Sequence, residues 1–175
     1  MSDQTSRMIS CGGLVLGSIL GLAGTFVTAA ATRGLLWGLD GIALVVAAVL
    51  LAIYYHRKGD DIVGGGFLAF ALGEALVLST AAMDLTTGSA TFGAGAGLWA
   101  AGLALVSLPR VAPWWLRIIG AIASVLFLIV ALRLFMSDAL TALSRPLPFF
   151  AYPFLVATLL GWAWMRYRGT ELHDR

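Results

Sequence analysis

The sequence predicts an all-α integral membrane protein, a bundle of about six transmembrane helices with short loops. Of the 175 residues, 60% are hydrophobic and only 11% are charged, and the hydrophobic residues fall into six long runs. A soluble domain of this size would be about one quarter charged, and a helix crosses a bilayer with about 20 mainly apolar residues. Because the runs leave almost nothing over for a soluble domain, residues 1–175 are predicted to form a single bundle.

The first predicted crossing, 8–29, begins after Arg7 and carries Gly13, Gly17 and Gly21 at four-residue spacing. Residues four apart lie on one face of a helix, and small residues there let another backbone approach closely. We expect this face to pack against another helix of the same chain or, alternatively, against a second copy of the protein.

The second predicted crossing, 35–55, follows an expected turn at 32–34 and ends at an interfacial segment, 54–58. Asp40 then lies about one turn inside the helix. A carboxylate at this position is explained either by the favourable helix dipole or by pairing with Arg33.

The third predicted crossing, 62–84, has a carboxylic acid near its centre. At about 1.5 Å of rise per residue, Glu74 lies roughly 15 Å from either end, close to the bilayer midplane. On a helical wheel it shares one half of the surface with small and polar residues, among them Gly65, Gly73, Thr80 and Asp84. We expect this half to face protein.

An ionisable group at the midplane is costly unless it is neutral, paired or facing a polar cavity. No base and no second acid is predicted at the depth of Glu74. We therefore expect a protonated Glu74 that donates a hydrogen bond to a backbone carbonyl, to Thr25 or to Ser124. Three roles remain open: a neutral structural acid, a proton or cation site together with Thr80 and Asp84, or contact with a ligand or partner subunit.

The fourth predicted crossing, 92–108, repeats the small-residue spacing with Gly93 and Gly97, which we expect to mediate helix packing. The fifth, 115–136, starts at a pair of tryptophans typical of a membrane interface. It has bulky apolar residues on every side, which predicts an outer helix with large lipid exposure.

The sixth predicted crossing, 149–165, follows a proline-rich approach and ends at basic anchoring residues, 166–168. Pro153 is expected in the first turns of this helix, where a proline fixes the start or introduces a kink.

The distribution of basic residues predicts the orientation. An even number of crossings puts both termini on one side, and that side carries eight of the 11 basic residues: Arg7, Arg57, Lys58, Arg110, Arg117, Arg166, Arg168 and Arg175. Cytoplasmic loops carry an excess of Lys and Arg. We therefore expect both termini in the cytoplasm and a multi-pass protein of the plasma membrane, of the bacterial inner-membrane type.

The opposite side has few charges, and they could form an outer-side charge layer. Its members are Asp40, Asp84, Asp138, Arg33, Arg133 and Arg145. Either the acids pair with the bases, or most of these side chains are simply solvated, as is common for charges at loop ends.

Several function classes receive little support. Cys11 is the only cysteine, and both histidines, His56 and His173, belong to the cytoplasmic edge. A disulfide within the chain is excluded, and no metal site, haem site or other cofactor is predicted. The basic residues are spread over loop ends, which argues against nucleic acid. An enzyme is disfavoured, although intramembrane chemistry by carboxylates stays open.

The leading functional hypothesis is a protein that acts non-catalytically by contact, as an accessory or assembly subunit of a membrane complex or as a binder of a lipophilic molecule. Its expected partners are the lipid bilayer and a larger membrane-protein complex or further copies of itself. The alternative is a small proton- or cation-coupled transporter or channel that uses Glu74 at the midplane.

Overall fold

The computed structural model describes residues 3–81, 88–136 and 140–169, and these form an all-helical bundle, as predicted. The helices are α1 (Asp3–Phe26), α2 (Ala30–Arg57), α3 (Asp61–Ala81), α4 (Ser89–Ser107), α5 (Trp114–Phe135) and α6 (Tyr152–Arg168), with a 3-10 turn at Phe149–Ala151. Helices α1 to α5 are long and apolar enough to cross a membrane. Helix α6 has 17 residues, which corresponds to about 26 Å.

Three helices begin well before their predicted starts, among them α4, at Ser89 rather than 92. Both α1 and α2 start five residues earlier than predicted, at Asp3 rather than 8 and at Ala30 rather than 35. Asp3 interacts favourably with the helix dipole, and alanine is the strongest helix former, so the helices continue into polar sequence. The predicted turn at 32–34 is therefore wrong, because these residues lie in the first turns of α2.

Helix α6 begins later than predicted, because the 3-10 turn takes up residues 149–151. Pro153 lies in the first turn of α6, as predicted, where its missing N–H leaves no helical hydrogen bond unmade. Gly169 ends the helix with a φ of 64°, a left-handed conformation that suits glycine.

The helices form a closed ring. Each one packs against its neighbours in the chain, and α6 packs against both α5 and α1. Consecutive helices run in opposite directions, so the start of α1 and the end of α6 meet at the same end of the bundle. Helix α5 presents large apolar side chains to the outside, such as Ile118, Val125 and Leu132, which fits its predicted contact with lipid.

Glycines bring α3 and α4 into close contact at two levels. A Cβ on Gly102 would lie 2.7 Å from the carbonyl oxygen of Gly66, and a Cβ on Gly73 would lie 2.8 Å from that of Gly95. In both pairs a glycine of one helix faces a glycine of the other. The two backbones can therefore approach more closely than any side chain would allow.

Gly65 was expected in this packing face, and that assignment is wrong. It is exposed, and a Cβ added there would meet no described atom within 4 Å. The buried stripe of α3 instead runs through Val63, Gly66, Phe70 and Gly73, the three- and four-residue spacing of a helix face. Gly65 directly precedes Gly66 in the chain and points outward.

The glycines of α1 face α2. Gly13 lies against the backbone carbonyl of Ala43, and Gly17 against the side chain of Leu44. Farther along, Gly21 lies against Asp40. In α4, Gly93 and Gly97 face Leu134 and Ala131 of α5. These contacts lie within one chain and place small residues where neighbouring helices are closest.

The ring closes between α1 and α6 through a buried arginine. Arg166 Nη2 donates a hydrogen bond to Asp3 Oδ1 at 2.9 Å, and its guanidinium lies 3.7 Å from the ring centre of Tyr54 in α2. One turn farther from this end of the bundle, Cys11 Sγ donates to the carbonyl oxygen of Ala163 at 3.3 Å. The basic end of α6 is thus tied to two other helices.

We expect Arg166→Ala to lower the free energy of unfolding by about 2–3 kcal/mol, since it removes a buried stem, a cation–π contact and an ion pair. Thermal unfolding in detergent measures the change. Arg168→Ala is the matched control: Arg168 is exposed on the same helix, over Trp164, and its loss should change stability by no more than about 0.5 kcal/mol. Equal effects would show that Arg166 does not fasten the ring.

Candidate functional site

The ring encloses a cavity of about 60 Å³. It lies in the half of the bundle farther from the start of α1 and the end of α6, and five helices line it: α1, α2, α3, α4 and α6. Its walls are mainly apolar, with Leu22, Leu44, Val77 and Leu155 among them. A cavity of this size has room for about four water molecules.

Glu74 lies in the wall contributed by α3. Its side chain is buried, with 3% of its surface exposed, so the acid faces the interior, as the helical wheel indicated. Its Oε2 atom has no hydrogen-bond partner among the described residues. The indole N–H of Trp99 lies nearby on α4 without making a hydrogen bond of normal geometry to it. A buried carboxyl oxygen without a partner is unusual and calls for an explanation.

Asp40 lies in the same cavity, which the sequence did not predict. Because α2 begins at Ala30, Asp40 is about 15 Å along the helix, not one turn inside it. Its carboxyl group lies against Gly21 and Gly17 of α1, where a Cβ would occupy the space of the carboxyl group. Its Oδ1 atom is buried and has no hydrogen-bond partner among the described residues. The position of Asp40 is therefore explained neither by the dipole at the N-terminus of α2 nor by pairing with Arg33.

The two carboxyl groups lie close enough for their charges to interact. The expectation that no second acid lies at the depth of Glu74 is therefore wrong. The error comes from the start of α2, since a helix beginning at residue 35 would have left Asp40 near the membrane surface. Among the described residues that line the cavity, none carries a positive charge.

The remaining polar groups of the wall mostly donate to backbone carbonyls. Tyr152 Oη donates to Ala142 O at 2.8 Å and Trp37 Nε1 to Gly21 O at 3.2 Å. The hydroxyls of Thr25 and Thr80 donate to carbonyls of their own helices, at 2.7 and 2.6 Å. Ser18 Oγ lies in the wall without a partner among the described residues.

Of the predicted site residues, Glu74 and Thr80 share the cavity, and Asp84 lies outside the described residues. Thr25 also lines the cavity. Ser124, the other suggested partner of Glu74, does not line it and donates instead to the carbonyl oxygen of Ala100, at 2.7 Å.

Of the predicted outer-side charge layer, Asp40 is wrongly assigned, because it lies in the cavity, and Asp84, like Asp138, lies outside the described residues. Arg33 lies over the ring of Trp37 at 5.6 Å, and Arg145 lies over Phe149 at 4.2 Å. Arg133 is exposed in the last turn of α5. The two arginines thus contact aromatic rings instead of Asp40.

Sequence reasoning missed Asp40 as a cavity residue, and it missed Trp37, Trp99, Tyr152 and Ser18 altogether. One signal could have found Trp99. It lies well inside the predicted fourth crossing, and an interior tryptophan needs a partner or a cavity for its N–H. Trp37 gave no such signal, because it is the third residue of the predicted second crossing.

The cavity is closed on the side of the chain termini. Leu159 lines it and also lines a second void of about 10 Å³, which Phe67, Phe70 and Trp162 border. Behind this void, Trp162 packs edge-on against both Tyr55 and Phe67, at 5.6 and 5.1 Å between ring centres. Leucine and aromatic side chains thus fill the axis of the ring beyond the cavity.

The described residues contain no group of three or more His, Cys, Asp or Glu side chains arranged to hold a metal ion. Comparison of the chain with protein-family models, with curated proteins and with solved structures gives no match.

Proposed function

We propose that this protein is a small multi-pass membrane carrier that binds a small cation between Asp40 and Glu74 and exchanges it for protons. The observation that carries the proposal is the presence of two carboxyl groups in one cavity, each with a buried oxygen that has no partner, and of no basic residue in the wall, as far as the structure describes the chain. For this reason we rank the proton- or cation-coupled transporter above the role as an accessory subunit or binder, which the sequence favoured.

Electrostatics supports the assignment. An ionised carboxylate inside a membrane bundle costs several kcal/mol unless a positive charge or hydrogen bonds compensate for it. Since the described part of the wall offers no cation, Asp40 and Glu74 are neutralised by protons or by a cation from outside it. Since the charge on one acts on the other, a proton on either weakens the attraction for a cation, so that protons and the cation compete.

The closed end of the cavity favours a carrier over an open pore. Leu159 and the rings of Tyr55, Phe67 and Trp162 fill the axis of the ring beyond the cavity. A cation in the cavity could pass these side chains toward the terminal end of the bundle only if the helices moved, which is how carriers alternate access to a central site.

For the membrane, we propose a bacterial inner-membrane location with both termini in the cytoplasm. The apolar helices support a membrane location, and the excess of basic residues at the terminal end supports the orientation. In this orientation the cavity is nearer the outer face of the membrane.

Flux in liposomes tests the proposal. With the purified protein, an imposed cation gradient should drive proton movement, read by a pH-sensitive dye. We expect Glu74→Gln and Asp40→Asn each to reduce this flux at least about tenfold, since a lost charge-assisted contact is worth about 1.5–3 kcal/mol. Asp61→Asn is the control, because Asp61 is exposed and bonded to His56 at the other end of the bundle.

The second candidate is the binder of a lipophilic molecule or the accessory subunit, with a larger complex or further copies as its partners. The mainly apolar wall of the cavity favours it. Flux unaffected by either acid variant would contradict the carrier. Absence of flux, together with co-purification of a larger membrane complex, would favour the second candidate.

A further inference from the structure

The hydrogen-bonding capacity of the cavity indicates which cations it suits. Tyr152, Thr25 and Thr80 donate their hydroxyl hydrogens to backbone carbonyls, which leaves the lone pairs of these oxygens as acceptors. Asp40 and Glu74 add carboxyl oxygens without partners. The wall is therefore rich in acceptors, and the matching ligand must donate several hydrogen bonds.

The donors that remain in the wall are few. Trp37 Nε1 is already bonded to Gly21 O, which leaves Trp99 Nε1 and the Ser18 hydroxyl without partners among the described residues. An anion would need more donors than these, and it would also meet two carboxyl groups. The charge and the hydrogen-bonding pattern thus point to the same kind of ligand, a cation with N–H groups.

The composition of the wall favours an ammonium ion over a divalent metal ion. Divalent metal ions take about six to eight oxygen ligands, or keep much of their water. Here a large part of the wall is apolar, including Leu22, Leu78 and Val156. Three aromatic side chains, Trp37, Trp99 and Tyr152, complete it, and aromatic rings attract organic cations without providing oxygen ligands.

The volume limits the size of the ligand. A cavity of about 60 Å³ has room for roughly four water molecules. An ammonium ion or a primary amine with one or two carbon atoms is within this limit. A primary ammonium group offers three N–H donors in a tight cluster, enough to reach Asp40, Glu74 and one hydroxyl oxygen together.

We propose that the cavity binds ammonium or a short primary alkylammonium ion, held by Asp40 and Glu74 through N–H donors and covered by the tryptophan and tyrosine side chains. This rests on the proposed function, because it names the ligand class of the same site. Among the described residues of the wall, the titratable side chains are Asp40 of α2, Glu74 of α3 and Tyr152 of α6, and those of α1 and α4 add none. Arg33 stands outside the wall, over Trp37.

The test is a binding series with the full chain in detergent at constant ionic strength. The probes are the chlorides of ammonium, methylammonium, tetramethylammonium, sodium and potassium, read by calorimetry and by the melting temperature. We expect ammonium and methylammonium to bind at least about tenfold more tightly than potassium, which has the same charge as ammonium and a similar size but no N–H donor, a difference of about 1.4 kcal/mol. Asp40→Asn and Glu74→Gln should weaken binding about tenfold or more, and Asp61→Asn should not.

The outcomes separate the two proposals. If sodium or potassium binds as tightly as methylammonium and depends on both acids, the ligand class is wrong and the cation carrier stands. If tetramethylammonium binds as tightly as methylammonium, N–H donors do not hold the ligand, and this part of the proposal is wrong. If none of the five cations binds, both proposals fail. The comparison of probes uses the unsubstituted protein, so the result does not depend on a variant that folds.

Discussion

Replacing Glu74 with methionine is expected to stabilise the folded bundle while it abolishes cation-dependent flux. Glu74 is buried and one of its oxygens has no partner among the described residues. A buried polar group without a hydrogen bond costs about 1–3 kcal/mol, and methionine has a similar length and an adaptable shape. We expect a gain of this size in the free energy of unfolding, or a melting temperature higher by about 2–4 °C per kcal/mol.

The sign of this change separates the roles considered for Glu74. If Glu74 is a neutral structural acid that donates a hydrogen bond, methionine removes this bond and the free energy of unfolding falls. A site that holds a proton or cation for function gives the opposite result, because such sites are retained at the expense of stability. Thermal unfolding of the ligand-free protein and flux in liposomes are measured on the same preparations. Decreased stability with normal flux would contradict the assignment of Glu74 to the site.

Gly102→Ala is expected to lower the free energy of unfolding, whereas Gly65→Ala is expected to raise it. A Cβ at Gly102 would lie 2.7 Å from Gly66 O and 2.8 Å from Phe70 N. Both are backbone atoms, which cannot move away by a change of rotamer. Helices α3 and α4 would have to separate, which costs about 1–3 kcal/mol. At Gly65 there is open space, and alanine in a helix gains about 0.5–1 kcal/mol over glycine.

Denaturant titration of the two variants in the same detergent measures the difference. Both substitutions add one methyl group to a helical glycine, so propensity affects them alike and only the packing differs. If Gly65→Ala were the destabilising variant, the face assigned to α3 would be wrong, and with it the position of Glu74. Gly73 precedes Glu74 and contacts Gly95, so this packing also fixes the depth of the acid in the cavity.

Much of the fold could be predicted because hydrophobic runs of this length allow few alternatives. The helices and their order follow from composition, and Glu74 stands out as the acid in the middle of an apolar stretch. The starts of α1 and α2 could not be predicted in this way, because hydropathy measures the apolar run and a helix can extend beyond it. Residues 30–34 add little hydropathy but form helix, and these five residues move Asp40 from the surface into the cavity.

The face of α3 was predicted only in part for a different reason. Its helical wheel separates small from large residues, but in the bundle α3 packs against both α2 and α4. Phe67 and Phe70 are buried toward these neighbours although they belong to no small or polar face. The wheel thus indicated the direction of Glu74, while the assignment of Gly65 needed the positions of both neighbouring helices.

The closure of the ring by α6 has a consequence for biogenesis. During synthesis α6 is the last of these helices to leave the ribosome, and it brings Tyr152, Leu155 and Leu159 to the cavity wall. Until it docks between α1 and α5, the acids Asp40 and Glu74 face an incomplete enclosure open to lipid or to the insertion machinery. The cavity wall is therefore complete only once α6 has joined the other helices.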